Sequence, residues 1–288
     1  MPKPDKIGLR KRLAYNLFAR YHEERTKEHT LKVLFWECTL RCNLSCQHCG
    51  SDCKQESNIT DMPKEDFLKV IDSIVPHINP NKVMITFSGG EPLMRKDLEE
   101  CGLELYHRGF PWGLVSNGMY LDRKRLDSLL AAGLHSITIS LDGFAEQHNA
   151  IRRHPKSFDN AWNAIKMISN EKEIVYDVVT CVTPAIFPFL ADFRNFLIEN
   201  GIQFWRIFTI FPSGRAANNP ELQLSNKQMI ELMEFIKTTR KENKIKLNFA
   251  CEGFLGNYEL AVRDNFYYCA AGINIASILI NGDISGCT

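Results

Sequence analysis

The chain has 288 residues and a formal net charge of +1 at pH 7. The near-neutral charge argues against an extended nucleic-acid surface, and no run of 18 or more apolar residues predicts a membrane span. Hydrophobic residues make up 44% of the chain and charged residues 24%, as is typical of a soluble globular protein. Ten cysteines without a secretory signal predict a cytoplasmic location, where thiols bind metals more often than they form disulfides.

Residues 7–21 carry basic side chains among apolar ones, which predicts a basic amphipathic helix. The segment lacks the uniformly apolar centre of a secretory signal. It could lie on a membrane or bind a partner, but we expect it to cover one end of the folded domain.

From residue 31 onward, strand-like and helix-like patterns alternate six times. The predicted strands are residues 31–37, 83–88, 113–116, 136–141, 175–182 and 204–208. The predicted helices are residues 64–77, 96–108, 122–132, 158–170, 185–200 and 226–241. This order predicts parallel strands with right-handed crossovers. The fold class is therefore α/β, with one sheet that forms either a partial barrel or an open doubly wound sheet.

Three cysteines, Cys42, Cys46 and Cys49, lie within eight residues directly after the first predicted strand. Thiolates suit zinc and iron-sulfur clusters. Because a cubane cluster normally takes four cysteines, three from one loop would leave one iron for another ligand. The alternative is a set of buried cysteines on one face of a helix, but the residues between them are polar and make a poor apolar face.

Residues 89–92, 116–118 and 140–143 also follow the carboxyl ends of predicted strands. In parallel α/β folds these ends meet at the ligand site, so four loops are expected to face one crevice. Two adjacent glycines, Gly89 and Gly90, permit positive φ and a close approach to a ligand, and Glu91 offers a carboxylate to a cationic amine. Each loop alone also fits an ordinary turn, and the phosphate-loop pattern is absent.

The CxxxCxxC motif at residues 42–49, followed by Ser88-Gly89-Gly90-Glu91-Pro92, resembles the radical S-adenosylmethionine (SAM) superfamily. The resemblance extends to its SPASM branch, which contains sulfatase-maturating and peptide-modifying enzymes. It implies that the three cysteines bind a 4Fe-4S cluster whose fourth iron is chelated by the amino and carboxylate groups of SAM. It also implies an N-terminal helix in residues 1–30 and a partial (β/α)6 TIM-like barrel over residues 31–250.

The resemblance further implies a set of SAM contacts, transferred position by position. They are Gly89, Gly90 and Glu91 at the methionine amino group, His48 near the adenine, Ser140 at the ribose or carboxylate, Arg152 at the carboxylate, and Ser116 and Asn117 elsewhere on SAM. A guanidinium suits a carboxylate because its donors form a fixed fork, although a solvated charge at a helix end explains Arg152 as well.

Near the end of the chain, Cys269, Gly282 and Cys287 resemble the start of the SPASM or twitch motif, which builds auxiliary iron-sulfur clusters. Cys251 could add a third ligand, but the further cysteines of the motif do not follow. Residues 251–288 are therefore interpreted as the beginning of such a region in an apparently truncated chain. Residues 277–283 also predict a strand that runs into a hairpin turn, so the alternative is a β-hairpin with buried cysteines.

Several other residues have no assigned role. Cys101 and Cys181 are expected in the core, and no role follows for Cys38 and Cys53. No acid-base pair stands out, since a buried or capping carboxylate explains each acidic residue near a strand end; these residues are Glu37, Asp142 and Asp177.

The leading hypothesis is an enzyme that cleaves SAM reductively to a 5'-deoxyadenosyl radical and modifies a peptide or protein side chain. The nearest alternative is a cofactor-biosynthesis enzyme of the same superfamily that acts on a small molecule. A zinc-binding structural or interaction protein is the alternative of another class, although adjacent His48 and Cys49 would chelate one tetrahedral ion awkwardly. The first hypothesis implies a low-potential electron donor such as flavodoxin or ferredoxin.

Overall fold

The computed structural model describes residues 8–250 and 253–287. The helices in this part of the chain are α1 (Leu9–Thr26), α2 (Lys64–Ile74), α3 (Leu98–His107), α4 (Arg123–Ala131), α5 (Ala145–Arg152), α6 (Ser157–Ile168), α7 (Leu190–Glu199) and α8 (Asn226–Glu242). The strands are β1 (Val33–Thr39), β2 (Met84–Gly89), β3 (Trp112–Ser116), β4 (Leu134–Ser140), β5 (Val175–Val182), β6 (Phe204–Thr209), β7 (Lys246–Phe249), β8 (Ile275–Ile278) and β9 (Ile284–Ser285).

The strands form one sheet in the order β7-β6-β5-β4-β3-β2-β1-β8-β9. Every neighbouring pair is parallel except β8 and β9, which form an antiparallel hairpin. All six predicted strands are present, and the predicted α/β fold with a partial, TIM-like barrel is confirmed. Since β7 and β9 are the two edges of the sheet, the barrel is open.

The predicted hairpin near the end of the chain is present, but it is continuous with the barrel. Its first strand, β8, pairs with β1 in parallel from Val33↔Ile275 to Trp36↔Ile278. The sequence thus did not predict β7, at one edge of the sheet, nor the parallel pairing by which β8 extends the barrel beyond β1.

The hydrophobic core lies between the sheet and the helices. Buried and half-buried residues alternate along β4 and β5, as expected when one face of a strand packs on helices and the other lines the barrel interior. On the helix side, Trp36 of β1 stacks on Phe67 of α2, with ring centroids 3.7 Å apart, and meets Phe87 of β2 edge to face. The polar residues that point away from this core therefore face the inside of the barrel.

Helix α1 packs on the segment that follows β7. Tyr15 and Phe18 contact the rings of Phe254 and Phe266, and His22 lies against Tyr268. Leucines on its opposite side, Leu9, Leu13 and Leu17, are exposed. The apolar residues of this helix thus occupy two sides rather than the single face that the sequence pattern predicts.

No helix in the described part of the chain combines the length and the apolar character that crossing a membrane requires.

Candidate iron-sulfur and SAM site

The cysteine loop leaves the carboxyl end of β1 and is irregular rather than helical. A bridge between Arg41 and Lys54 closes it, and the Cys42 N–H donates to the Lys54 carbonyl at 2.6 Å. Cys42 and Cys46 are buried, and Cys49 is half-buried. The alternative of three cysteines on one face of a core helix is therefore wrong.

Arg215, which follows β6, holds this loop from outside. Its side chain donates to the carbonyls of Cys46 at 2.8 Å and Cys53 at 2.7 Å, and to the Asp52 carboxylate at 2.8 Å. Its backbone N–H donates to the Cys49 carbonyl at 2.9 Å. Four bonds from one residue fix the path of the loop, and the sequence motifs gave no sign of this contact.

The arrangement of the three thiols fits a multi-iron cluster better than a single zinc ion. Cys42, Cys46 and Cys49 are close enough to influence one another electrostatically. A tetrahedral zinc ion with bonds of about 2.3 Å would bring its sulfur ligands within about 4 Å of one another. Among the described residues, these thiols are not a group whose ligand atoms all lie within 4.8 Å. The donor set, thiolates alone, is also the one that iron-sulfur clusters use.

Two of the three sulfurs have a side-chain hydrogen-bond donor. Asn117 Nδ2 lies 3.8 Å from Cys42 Sγ, and Arg152 Nη1 lies 3.8 Å from Cys46 Sγ. The buried thiol of Cys53 donates to the Ser51 carbonyl at 3.9 Å. Interaction with the Cys53 side chain lowers the pKa of Cys49 to about 5, whereas burial raises the pKa of Cys42 to about 12.

Glu91 is fully enclosed and joins two of the loops. Its Oε1 accepts bonds from the Leu93 N–H at 3.1 Å and the Ser116 hydroxyl at 2.9 Å, and its Oε2 accepts from the Asn117 N–H at 2.8 Å. Burial raises the pKa of this carboxyl. Since an ionised carboxylate has about four acceptor sites, room remains for one further donor.

The two glycines before Glu91 allow the chain to pass against the start of the cysteine loop. Gly89 has a φ of +117°, and a Cβ there would collide with the Thr39 carbonyl oxygen. A Cβ on Gly90 would lie 2.7 Å from the carbonyl carbon of Arg41. The Gly90 N–H donates to the Thr39 carbonyl at 2.7 Å. The sequence analysis predicted that the two glycines let the backbone approach a ligand. In the structure they also let the backbone pack against Thr39 and Arg41 of the same chain.

A buried ion pair lies beside the cysteine loop. Asp142 Oδ2 accepts bonds of 2.7 Å from Nε and Nη2 of Arg152. Burial alone would raise the pKa of Asp142, but the guanidinium of Arg152 outweighs it and the pKa is lowered to about 2. Arg152 is therefore a buried, paired residue and not the solvated helix-end charge that the sequence left open.

His48, Asp142 and Cys181 place one ligand atom each within 4.8 Å of one another. His48 Nε2 lies 3.7 Å from Asp142 Oδ2, and burial lowers the pKa of His48 to about 4, so its ring is neutral. A divalent cation here would face the guanidinium of Arg152 on the same carboxylate oxygen, which opposes metal binding. Cys181, the third member of this group, is half-buried, so its predicted place in the core is wrong.

Polar side chains continue down the inside of the barrel. Asp177 of β5 accepts from the Thr138 hydroxyl at 2.6 Å and pairs with Arg206 of β6 at 2.8 Å. Ser140, at the end of β4, is half-buried two residues beyond Thr138 on the same face. At the other side of the barrel, Glu37 accepts from the Ile280 N–H at 3.2 Å.

The remaining cysteines divide into core and surface. Cys101 is buried in α3, as predicted, and Cys38 is buried in β1. Cys269 and Cys287 are exposed, so the alternative of buried cysteines in the hairpin is wrong for both, and Cys251 lies outside the described residues. The segments that carry them are neighbours, since a Cβ on Gly286 would lie 3.3 Å from the carbonyl carbon of Ala271.

A sequence model described as the radical SAM superfamily matches residues 36–188, about half of the chain. Two AdoMet-dependent heme synthases are similar in sequence. The one from Nitratidesulfovibrio vulgaris is 28% identical over 234 residues, which cover 80% of this chain and 63% of the relative. The one from Oleidesulfovibrio alaskensis is 27% identical over 221 residues, which cover 76% of this chain and 56% of the relative. The chain thus spans about three fifths of the length of these relatives.

Among solved structures, Streptococcus suis SuiB bound to S-adenosylmethionine matches 94% of this chain and 64% of its own, with a TM-score of 0.68 and 17% identity. Because the identity is below 25%, this likeness shows a shared fold. Both comparisons agree with the architecture that the cysteine loop and its neighbours adopt.

Proposed function

The chain belongs to the radical SAM superfamily, and from that premise we propose that it cleaves SAM reductively and uses the resulting radical to abstract hydrogen from a substrate. The superfamily uses a 4Fe-4S cluster and SAM. The observation that carries the proposal is the set of three clustered thiols at the carboxyl edge of a parallel sheet, two of them with a side-chain hydrogen-bond donor. When bound, the cluster supplies the electron that breaks a carbon-sulfur bond of SAM.

We assign Cys42, Cys46 and Cys49 as the three protein ligands of this cluster. The zinc alternative gains no support, because among the described residues the three thiols do not belong to a group of close-set metal-ligand atoms. Cys269 and Cys287 remain candidates for an auxiliary cluster, which their exposure and adjacent segments support.

The SAM contacts implied by the family motif are part of the proposal. Gly89 and Gly90 lie against the cysteine loop, and Glu91 keeps one free acceptor site for the methionine amino group. The neutral ring of His48 suits contact with the adenine. Further contacts are proposed for Ser116, Asn117, Ser140 and Arg152, all of which lie on the loops or strand ends around the same crevice.

Arg152 can serve the SAM carboxylate only as part of a network. Its Nε and Nη2 donate to Asp142 and its Nη1 points to Cys46. The guanidinium has five N–H donors, so two remain for a ligand. The ion pair with Asp142 fixes the plane of the fork and thereby the direction of those donors.

For the substrate we propose two classes. A peptide or protein side chain is the first, supported by 30% sequence identity over 37% of the chain to the PqqA peptide cyclase of Granulibacter bethesdensis. A small molecule from cofactor biosynthesis is the second, and the heme synthase relatives favour it because their matches cover most of the chain. In either case the polar inner face at Thr138, Asp177 and Arg206 offers contacts to the substrate.

A flavodoxin or ferredoxin is the proposed electron donor. A reducing compartment is proposed with it, and the thiols of Cys38, Cys53 and Cys101, which form no disulfide, support this.

The test is anaerobic reconstitution with iron and sulfide, followed by a dithionite-driven assay for 5'-deoxyadenosine from SAM, with iron and zinc counted in the same sample. We expect about four irons per chain for one cubane cluster and the formation of 5'-deoxyadenosine. The Cys46→Ala variant should lose both, because two thiolates cannot hold the cube, while its far-UV circular dichroism stays unchanged. Stoichiometric zinc with intact SAM, or normal cleavage by Cys46→Ala, would contradict the proposal.

The substrate classes are separated by adding candidates to the active enzyme. Stimulation of 5'-deoxyadenosine formation by Fe-coproporphyrin III, the porphyrin named in a similar synthase of Methanosarcina barkeri, with a matching mass change in the porphyrin, would support the small-molecule class. Stimulation by a synthetic peptide copied from a short reading frame next to the gene, with a mass change in the peptide, would support the peptide class.

A further inference from the structure

A row of polar side chains crosses the inside of the barrel on four neighbouring strands. Thr138 of β4 pairs in register with Asp177 of β5, and Arg206 of β6 pairs with Asn248 of β7. Lys246 lies two residues before Asn248 on the same face of β7. All five residues line one cavity of about 350 Å³, which is large enough for a small ligand or for one end of a larger substrate.

The cavity carries a net positive charge. Its lining includes two cationic side chains, Arg206 and Lys246, and one carboxylate, that of Asp177. The carboxylate of Asp264 lies beyond Asn248 at the edge of the sheet and pairs with Arg240 at 2.6 Å, so it leaves this charge in place. A group with a single negative charge would therefore make the cavity neutral.

The Arg206 guanidinium is only partly paired. Its Nη2 forms an ion pair with Asp177 at 2.8 Å and lies 3.4 Å from the Thr138 hydroxyl. Its Nε is buried and has no hydrogen-bond partner among the described residues, which is uncommon for a buried donor. Since 40% of the Arg206 side chain is exposed, a ligand in the cavity can reach the guanidinium and use its remaining donors.

A carboxylate is the anion that this arrangement suits best. A guanidinium binds a carboxylate through two parallel N–H bonds, and one carboxylate balances the charge of the cavity. A phosphate carries more charge and is typically bound by backbone N–H groups at a helix N-terminus or a glycine-rich turn. The walls here are the paired strands β5, β6 and β7, whose backbone groups bond to one another.

The cavity lies below the proposed SAM contacts. Thr138, which meets Arg206, precedes Ser140 by two residues on the same face of β4, a separation of about 7 Å along the strand. We propose that Arg206 binds a carboxylate of the substrate, so that carbon atoms several bonds away from that carboxylate face SAM. This inference rests on the proposed function, and it names the chemical group by which the substrate is held.

The experiment measures the binding of three probes to the purified protein, before and after reconstitution, by isothermal titration calorimetry at constant ionic strength. 3-Phenylpropionate carries a carboxylate on an apolar body, 3-phenylpropanamide is its neutral counterpart, and inorganic phosphate is the competing anion. We expect wild type to bind the carboxylate about tenfold more tightly than either of the others, because only the carboxylate forms charge-assisted bonds in a matching fork.

Arg206→Gln should weaken the binding of 3-phenylpropionate about tenfold, to the level of the amide. Arg206→Lys keeps the charge without the fork and should bind with intermediate affinity. Lys246→Gln changes an exposed residue and should weaken binding by a smaller factor, which tests the cavity even if the Arg206 variants do not fold. Arg194→Gln removes a guanidinium that pairs with Glu242 outside the barrel, so it is the matched control and should bind like wild type.

A substrate that stimulates 5'-deoxyadenosine formation tests the same contact in the active enzyme. A porphyrin should stimulate less as its methyl ester, and a peptide should stimulate less when its acidic side chains are replaced by amides. The Arg206→Gln variant should show no further loss with the masked substrate, because the contact is already absent.

Equal affinities of wild type and Arg206→Gln for 3-phenylpropionate, or equal affinities of wild type for the carboxylate and the amide, would overturn the inference. Tighter binding of phosphate than of the carboxylate would do the same. Failure of the proposed function gives a different result, because the protein would then bind no cluster or leave SAM intact, whatever its affinity for the carboxylate.

Discussion

At the scale of single residues, the cysteine loop depends on Arg215 as much as on its own sequence. The loop is irregular and cannot satisfy its own carbonyls by helix or strand pairing, so buried carbonyls need donors from elsewhere. Arg215 supplies them at Cys46 and Cys53. Its guanidinium also pairs with the Asp52 carboxylate and lowers the pKa of Asp52. The cluster ligands are thus held at fixed separations before any iron binds.

We therefore expect Arg215→Ala to weaken the cluster without unfolding the barrel. Loss of a supporting contact behind metal ligands typically costs about tenfold or more in affinity or activity, so iron release to a chelator should be about tenfold faster. Arg215→Lys should release iron at a rate between those of Arg215→Ala and wild type, because a single ammonium cannot reproduce the forked donors of the guanidinium. Arg194→Ala, which removes a guanidinium paired with Glu242 on distant helices, is the control. Equal release rates in all variants would contradict this role.

The difference between the residues that the sequence predicted and those it missed is one of sequence distance. Cys42 and Glu91 belong to short motifs whose residue types and spacing already indicate the chemistry. Arg215 meets its partners across more than 160 positions, and no local pattern marks it. Cys53 has no motif of its own either, and only the fold of the loop brings its thiol to Cys49.

At the scale of elements, the passage from β2 to the following turn is fixed by backbone contact with the cysteine loop. Glu91 donates its N–H to the Arg41 carbonyl at 2.9 Å, one residue beyond the Gly90 contact with Thr39. This ladder leaves no room for a side chain at Gly90. Backbone hydrogen bonds therefore join the two loops, although only the spacing of their motifs connects them in the sequence.

Gly90→Ala should force these loops apart. Overpacking of this kind costs about 1–3 kcal/mol, and because the obstacle is the backbone of Arg41 it cannot rotate away. We expect a lower free energy of unfolding by urea and incomplete iron loading. Gly50→Ala is the matched control, since nothing lies within 4 Å of a Cβ there, and it should unfold like wild type. Equal stability of the two variants would be inconsistent with this packing.

The strand that the sequence missed, β7, has four residues. The long predicted strands carry enough alternating apolar residues to identify themselves. In contrast, β7 begins with Lys246 and carries Asn248 toward the inner face, so its pattern is weak, and it forms because β6 offers an open edge. Short edge strands of this kind are set by their neighbours and not by local preference.

At the scale of the whole molecule, one buried network joins β4, β5, α5 and the cysteine loop. Asp142 lies at its centre, with Arg152 on one oxygen and the Cys181 N–H on the other at 2.9 Å. His148 of α5 closes the network, because its Nδ1 accepts from the Asp142 N–H at 2.9 Å and its Nε2 meets the Ser157 hydroxyl at 2.9 Å. This geometry needs a neutral imidazole, since a protonated ring could not accept at Nδ1.

The stability of the whole domain should consequently fall with decreasing pH. Burial lowers the pKa of His148 to about 3, whereas the ring takes up a proton near pH 6.5 in the unfolded chain. Between these values the unfolded state binds more protons, so the free energy of unfolding decreases as the pH falls. At about 1.4 kcal/mol per pH unit, the loss from this residue between pH 6.5 and pH 5 is about 2 kcal/mol.

Urea unfolding at pH 7 and pH 5 tests this expectation. The His148→Gln variant should be less stable at pH 7, because it replaces a buried ring, but its loss of stability between the two pH values should be smaller than that of wild type by about 2 kcal/mol. His135→Gln removes an exposed ring from β4 and should keep the wild-type slope. If His148→Gln and wild type lose the same stability on acidification, the neutral imidazole does not link the Asp142 network to the folding of the domain.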